Sequence, residues 1–558
     1  MKYFRYVSLI FVLFILQGCQ EQNKEAEKKV QSRVKPNILL IVVDDMGYSD
    51  IGPFGGEIRT PHLNKMAKEG VTFTNFYTAP ACSPTRSMLL TGNDNHVAGL
   101  GSMAELLNLY TNLEGKPGYE GHLNDQVVPF PELLKKDGYH TFITGKWHLG
   151  DTRELSPVNK GFEETFVLMT GGASHWSDEK KLYPTQKVFY QRNGKVVKPD
   201  KDFYSTRTYT QKMIEFINKY KDDGKPFFAY LAYTAPHDPL QVPDDWIGKY
   251  KGRYDNGYDE LRKERYERLK KLGFVGENTT LPEGLEFIPA WETLSAEQKK
   301  IEAKKMEIYA AMIEYVDDQV GKLLKVLENN GQLENTIVFF LSDNGANGHR
   351  MDFYPGATDE WLKKYYDNSY DNIGRRGSGV STGPGWAQAS MSPFKYYKTY
   401  TAEGGIRTPF LVWGYGVNKQ NVVDTVNITH VMDIAPTVLE MTGIRYPKTY
   451  KGKPIKPILG KSLLSYLKGD DPEIRTPQDY LGWELFGNRA LRQGKWKLLW
   501  IASKDKNKKS RWELYDLEKD PGESKDLSKE CPEKYRELLS LWDDYVKRNG
   551  VIIPVPRK

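Results

Sequence analysis

Asp44 and Asp45 stand directly behind an aliphatic run, residues 37–43. Two adjacent acids at the end of a buried strand repel each other, and a divalent cation with oxygen ligands relieves that repulsion. Taken alone, the pair reads equally well as a helix cap beside a solvated acid. Ser342-Asp343-Asn344-Gly345 follows a second apolar run, 336–341, and adds a carboxylate and an amide oxygen on a glycine-terminated turn. An ordinary Asn-Gly turn is the plainer alternative. Together the two strand ends supply four hard oxygen donors, Asp44, Asp45, Asp343 and Asn344, suited to calcium or magnesium.

Cys82-Ser83-Pro84-Thr85-Arg86 precedes Ser87-Met88-Leu89-Leu90-Thr91-Gly92. Pro84 and the apolar run behind it suggest a turn that opens a helix. Residue 82 then sits near the positive helix end, where an anion is favoured. Arg86, about one turn further on, can reach back with a permanently charged guanidinium. A lone cysteine is otherwise a small buried hydrophobe. A group of bases completes the set: Lys146 and His148 in Gly145-Lys146-Trp147-His148-Leu149-Gly150, His237 in Ala235-Pro236-His237-Asp238-Pro239, and Lys398 ahead of Glu403-Gly404-Gly405-Ile406-Arg407. One histidine is usually structural and one lysine usually solvated. Two histidines and a lysine behind strands on one face point instead to proton transfer and charge stabilisation.

The elements that must position these residues alternate. Unbroken apolar runs at 37–43, 225–233 and 336–341 read as strands buried on both faces, with further strands at 71–76 and 139–144. Helical spacing covers 61–70, the start of a helix near 87–90, 131–137, and a long amphipathic helix over 302–328. This alternation reads as an α/β fold with a mostly parallel sheet, whose ligands gather at the carboxyl ends of the strands. The C-terminal part changes character: 496–500 and 512–516 read as short strands joined by a lysine-rich turn, and 532–548 as a closing helix. A smaller α+β subdomain is therefore expected over 446–558, behind a catalytic domain at 36–445.

At these residues the chain resembles the sulfatase family, over about residues 36 to 550. Cys82-x-Pro84-x-Arg86 with its continuation through Gly92 is that family's formylglycine signature, and Asp44-Asp45, Gly145 to Gly150, Ala235 to Pro239, Asp343-Asn344-Gly345 and Glu403 to Arg407 recur in the family's order. Asp371-Asn372-Ile373-Gly374-Arg375, Trp386-Ala387-Gln388-Ala389, Gly482 to Gly487 and Leu514 to Leu517 look closest to bacterial arylsulfatases. The resemblance implies an alkaline-phosphatase-like large domain and a sulfuric ester hydrolase acting on an aryl sulfate or a sulfated carbohydrate. It implies that a formylglycine-generating or anaerobic sulfatase-maturing enzyme oxidises Cys82 to formylglycine, whose hydrated diol attacks sulfur. Asp44, Asp45, Asp343 and Asn344 would hold calcium rather than magnesium, and Asp343 would also take the attacking hydroxyl's proton. Arg86 and Lys146 would hold the diol and the sulfate charge. His148 would accept the second diol proton, and His237 and Lys398 would serve the leaving oxygen.

Two rivals remain at this stage: a phosphatase, phosphodiesterase or phosphonate monoester hydrolase of the same superfold, since fold alone does not separate these, and a non-catalytic surface lipoprotein that binds sulfated glycans. The second has no need for Cys82, Asp343 and the two histidines together.

The 558 residues are 39% hydrophobic and 27% charged, ordinary for a folded soluble protein, and the net charge of +6 is scattered, which gives no footprint for nucleic acid. Lys2 and Arg5 precede a short apolar run ending in Leu16-Gln17-Gly18-Cys19. Residues 1–19 therefore read as a lipoprotein-type signal peptide with lipid on Cys19, and 20–35 as a flexible tether. An exported, membrane-anchored protein, periplasmic or on the outer-membrane surface, is expected. Of the remaining cysteines, Cys531 lies in a polar segment and carries no chemistry, and two thiols do not make a disulfide scaffold. The loops at 171–176 and 350–371 would line the substrate pocket. Phe353, Tyr354, Trp361, Tyr365 and Tyr366 in the second read equally as ring-stacking or as packing residues.

Overall fold

The aliphatic run at 37–43 forms the strand β1 (Asn37–Val43), and all seven of its residues are buried. A strand with no polar face must be covered above, below and on both edges. The computed structural model, which describes residues 35–503 and 509–557, meets that requirement with a ten-stranded sheet. In chain order its strands are β1, β2 (Val71–Phe73), β3 (His140–Lys146), β4 (Glu164–Leu168), β5 (Tyr190–Arg192), β6 (Lys195–Val197), β7 (Phe227–Ala232), β8 (Thr336–Ser342), β9 (Phe410–Gly414) and β10 (Val422–Asp424). Across the sheet they lie in the order β10-β2-β9-β8-β1-β7-β3-β4-β5-β6. The central strands β8, β1, β7, β3 and β4 are all parallel. Antiparallel pairing enters at β9 on one side and at β5 and β6 on the other, so the sheet as a whole is mixed.

The helices that cover the sheet include α1 (Pro61–Glu69), α2 (Cys82–Thr91), α3 (Ser205–Tyr220) and α4 (Ala296–Asn329). α4 starts six residues before the expected 302 because Ser295 and Gln298 form a reciprocal capping box. α2 starts at Cys82 rather than near Ser87. Pro84 lies in the first turn, where backbone N–H groups have no intrahelical acceptor and a missing one costs nothing. Gly92 at φ 67° ends the helix. Of the sheet's strands β4, β5, β6, β9 and β10 were not expected; β4 and β9 are five residues long and the other three only three, lengths at which apolar content alone does not separate strand from helix.

Beyond residue 446, β11 (Tyr480–Leu485), β12 (Asn488–Gln493), β13 (Trp496–Trp500) and β14 (Glu513–Asp516) form an antiparallel sheet followed by α5 (Pro532–Asn549). Alternation explains its two faces. Leu491, Leu498 and Leu514 pack on Leu538, Trp542 and Tyr545 of α5, while Trp483, Ala490, Leu499 and Tyr515 join the main hydrophobic core. Trp483 Nε1 also donates to the carbonyl of Thr78, 2.9 Å away, close to α2. The expected signal peptide, the lipid site Cys19, the tether up to residue 34 and part of the lysine-rich turn lie outside the described residues. Among the described residues no helix is long and apolar enough to cross a membrane.

Candidate active site

β1 and β8 pair in parallel with Val43 opposite Ser342. Asp44-Asp45 and Asp343-Asn344 therefore leave the sheet side by side at its carboxyl edge, the place where open α/β sheets build sites. The ladder runs one step further, with Asp343 N–H donating to Val43 and Asp44 N–H to Ala235, both at 3.1 Å. Asp45 then turns sharply at φ 66°, and its N–H faces Asp343 Oδ1 at 3.3 Å. β3 delivers Lys146 as its last residue. Gly145 before it has φ 109°, and a Cβ there would sit 1.7 Å from the carbonyl oxygen of Ala232, so only glycine lets the strand approach this closely. α2 presents Cys82 as its first residue, the segment after β7 carries His237, and the loop before β9 carries Lys398.

The sequence-expected residues meet in one buried cluster. Cys82 Sγ lies 3.2 Å from Asp44 Oδ1 and 4.0 Å from Asp45 Oδ1. Lys146 Nζ donates to Asp44 Oδ2 at 2.7 Å. Lys398 Nζ lies 2.8 Å from Asp45 Oδ1 and 2.9 Å from its Oδ2. Arg86 donates through Nε and Nη2 to Asp343 Oδ2 at 3.0 and 2.7 Å. His237 Nε2 lies 3.5 Å from Asp45 Oδ2, while its Nδ1 faces the carbonyl of Asp238 at 2.8 Å. His148 stands a little apart, with Nε2 3.1 Å from Glu105 Oε1. Four non-glycine residues of the site take positive φ: Asp45, His148 at 55°, Thr399 at 76° beside Lys398, and Phe486 at 56°. Backbone held in such sparsely populated regions persists only where the surroundings enforce it.

Three carboxylates, Asp44, Asp45 and Asp343, face three cations, Arg86, Lys146 and Lys398, so their formal charges cancel. Burial raises Asp44, but Lys146 beside it, then His237, Arg86 and Lys398, outweigh that and hold its carboxyl far below the usual range. Asp343 is pushed up to about 7, first by burial and then by the neighbouring Asp44 carboxylate. Burial likewise pushes the Cys82 thiol well up, reinforced by Asp44. Such a thiol is protonated at neutral pH and a poor nucleophile. Burial drives His237 down to about 4, against the pull of Asp45, so its imidazole is neutral.

The donor set fits a dication. Asp44, Asp45, Cys82 and His237 offer ligand atoms within 4.8 Å of one another. Asn344 Nδ2 donates to Asp45 Oδ1 at 2.6 Å and to the carbonyl of Gly345 at 2.9 Å, and its Oδ1 is a buried acceptor without a hydrogen-bond partner among the described residues. An orphaned acceptor beside mutually repelling carboxylates is an arrangement that a hard cation completes. With a dication added, the cluster carries a formal +2, which draws in an anion.

Above the cluster opens a pocket whose floor is Cys82, His148, His237 and Lys398 and whose walls are mostly apolar: Met103, Leu106, Leu182, Phe353, Tyr354 and Phe486. The two expected loops contribute as foreseen, through Gly171 and Gly172 and through residues 353–355. The aromatic residues of the second loop divide. Trp361, Tyr365 and Tyr366 pack on one another, whereas Phe353 and Tyr354 line the pocket, with Phe353 stacked on His349 at 3.8 Å between centroids. Sequence reasoning missed Glu105, which holds His148 from 43 residues away, and Tyr230, whose hydroxyl faces Arg86 at 3.4 Å. Tyr230 is hidden in the apolar run of β7, and Glu105 is the only charged residue of a short, mostly apolar segment, 101–110, with no motif around it.

A comparison with family models matches residues 36–444 to the sulfatase model and residues 394–544 to the model described as N-sulphoglucosamine sulphohydrolase, C-terminal. The chain is 45% identical over 432 residues to the arylsulfatase of Klebsiella aerogenes, covering 77% of this chain and 91% of that one. It is 42% identical over 541 residues to an uncharacterised sulfatase of Schizosaccharomyces pombe, covering 95% and 96%. In fold it is similar to the PsFucS1 sulfatase from Pseudoalteromonas sp., with a TM-score of 0.60 at 21% identity over 96% of this chain and 94% of that one. It is also similar in fold to Ps i-CgsB in complex with k-i-k-neocarrahexaose, with a TM-score of 0.64 at 24% identity over 93% and 94%.

Sheet, strand-end acids and buried cations together define an alkaline-phosphatase-like hydrolase of anionic esters with a metal-binding group at the carboxyl edge of its sheet. Within that class the chain belongs to the sulfatase family, close to the bacterial arylsulfatases, and is a sulfuric ester hydrolase.

Proposed function

We propose that the chain hydrolyses sulfate monoesters of compact, flat alcohols, aryl sulfates first among them, after Cys82 has been oxidised to formylglycine by a maturation enzyme. The observation that carries this reading is the position of Cys82. It stands at the N-terminus of α2, on the floor of a mostly apolar pocket, within reach of Asp44 and Asp45. As an ordinary thiol pushed up by burial it has little nucleophilic use there. The hydrated aldehyde supplies two hydroxyls, one to displace the alcohol from sulfur and one to drive release of sulfate.

The residues around it take these roles. Asp44, Asp45, Asp343 and Asn344 hold the cation, and an all-protein set of oxygen donors favours calcium, since magnesium usually keeps several waters. Bound there, a dication would supply Lewis acidity toward an oxygen of the sulfate ester. Asp343, fixed by the two hydrogen bonds from Arg86, takes the attacking hydroxyl's proton. Arg86 and Lys146 hold the sulfate charge as it develops, which needs no reorganisation because both are already fixed by carboxylates. Lys398 protonates or stabilises the departing oxygen, with His237 beside it. His148 accepts the proton of the second hydroxyl. The walls from Leu106 to Phe486 hold the alcohol portion by burial of apolar surface.

Hydrolysis of a chromogenic aryl sulfate tests this, with calcium present and the protein co-expressed with a maturase. The wild type is expected to turn over and Cys82→Ala to be inert while keeping its far-UV circular dichroism. Equal activity in both would overturn the reading. Protein made without a maturase is expected to be folded and mostly inactive. The N-terminal pattern ending in Leu16-Gln17-Gly18-Cys19 supports, separately, a chain outside the cytoplasm anchored by lipid on Cys19. Cys19→Ala is then expected to leave the membrane fraction, and unchanged partition would count against the anchor.

A further inference from the structure

We infer that Glu105 is a positioning residue for the proposed base: it fixes His148 in the tautomer whose Nδ1 is the free acceptor. The inference rests on the reading of His148 given above and deepens it.

Glu105 lies in the short helical turn Ala104–Leu109, far from every motif of the chain, yet its carboxylate enters the pocket that Cys82 and His148 also line. Its two oxygens lie 3.1 and 3.4 Å from His148 Nε2. A carboxylate only accepts hydrogen bonds, so this contact is satisfied when Nε2 carries the proton. In a neutral imidazole that leaves the lone pair on Nδ1. Nδ1 is indeed the other half of the observation: it is buried and has no hydrogen-bond partner among the described residues. A buried ring nitrogen kept unpaired is costly, and a function explains why it persists. Burial pushes the His148 imidazole down, further than Glu105 pushes it up, so the ring is a neutral base rather than an imidazolium.

The ring has little freedom to choose otherwise. His148 holds a positive φ of 55°, and its edge packs on Gly171, where a Cβ would lie 2.7 Å from Cε1. With backbone and ring both clamped, the remaining variable is which nitrogen carries the proton, and Glu105 sets it. Without that carboxylate the two tautomers of a neutral imidazole mix, and a ring protonated on Nδ1 cannot accept a proton there. Supporting partners of this kind typically contribute about 10–100-fold to the function they orient.

Two readouts test this. The first needs no maturation: long-range 1H–15N spectra of protein labelled at histidine, with the His148 signal assigned by its loss in His148→Asn. Wild type is expected to show an unprotonated Nδ1 and a protonated Nε2. Glu105→Leu is expected to show averaged tautomer shifts, and Glu105→Gln, which keeps an acceptor oxygen, to restore the wild-type pattern. The second is rapid mixing of matured enzyme with a chromogenic aryl sulfate. Alcohol release precedes the step served by His148, so Glu105→Leu is expected to give a burst of about one equivalent of phenol. Steady turnover should then be about 10–100-fold slower, with KM raised no more than a few-fold. His148→Ala is the control. If it shows neither burst nor slowing, His148 is not the base, and the inference falls with that reading. If it shows both while Glu105→Leu keeps wild-type turnover and tautomer, the reading stands and the role of Glu105 is overturned.

Discussion

Arg86 donates twice to a single oxygen of Asp343, Oδ2, through Nε at 3.0 Å and Nη2 at 2.7 Å, and both side chains are wholly buried. The other carboxylate oxygen, Oδ1, accepts from the backbone N–H of Asp45 at 3.3 Å. The pair thus does two things, cancelling a buried charge and aiming Oδ1 of Asp343. Lysine has one point of donation and cannot reproduce the fork. Arg86→Lys is expected to lower kcat by about 100–1,000-fold, the usual loss for a donor to developing charge. Arg86→Met leaves Asp343 uncompensated and is expected to cost about 3–5 kcal/mol in urea unfolding. Near-normal stability in Arg86→Met would mean that Asp343 is already neutral in the folded protein.

The orphaned Asn344 Oδ1 gives a test for the cation that does not depend on turnover. Removal of divalent cations is expected to lower the melting temperature. Return of calcium to about 100 times its dissociation constant should restore about 2.7 kcal/mol. Asn344→Leu fills a similar volume without an acceptor, and the calcium-dependent shift should shrink. An undiminished shift in that variant would remove Asn344 from the ligand set.

Phe353 offers its ring to the pocket while stacked on His349. If the alcohol portion of the substrate is a flat ring, Phe353→Ala loses an aromatic contact of about 0.5–1.5 kcal/mol. KM for an aryl sulfate should then rise several-fold with kcat little changed. A fall in kcat with constant KM would place Phe353 in the chemistry instead.

His96, in the segment after α2, ties that segment to the C-terminal sheet. Its Nδ1 lies 2.8 Å from Asp94 Oδ1 and its Nε2 3.4 Å from Glu484 Oε2 on β11, while Tyr545 of α5 donates to Asp94 Oδ2 at 2.9 Å and the ring of Tyr119 packs edge-on. Burial pushes the imidazole down, but the charge of Asp94 and the hydrogen bonds to both carboxylates outweigh it and raise it to about 9 from an ordinary value of 6.5. The folded value is the higher one, so the stabilisation is complete below pH 6.5 and disappears as pH rises through 9. Its size is on the order of 3 kcal/mol. Urea unfolding of the wild type between pH 6 and about 9.5 should show that decline. His96→Gln should flatten it, and an equal decline in both would assign it to other groups.

Most residues that meet in the cluster were legible in the sequence because they end or follow a strand or open a helix, and those positions have local signatures; Lys398, in the loop before β9, has none. Apolar runs end abruptly in Asp44-Asp45 and Asp343-Asn344, and Pro84 marks a first helical turn. The buried central strands were equally plain, since a strand covered on both faces has no polar alternation to confuse it. What the chain could not reveal by itself is whatever depends on neighbours distant in sequence. The parallel register of Val43 with Ser342, the fork of Arg86 on Asp343 and the Glu105–His148 contact span 299, 257 and 43 positions. So does the division of the aromatic loop into packing residues and pocket wall. Periodicity and capping are energies of adjacent residues, and they can be read along the chain. Ion-pair partners, tautomers and pocket linings are set by which surfaces close on one another, and that only the tertiary structure decides.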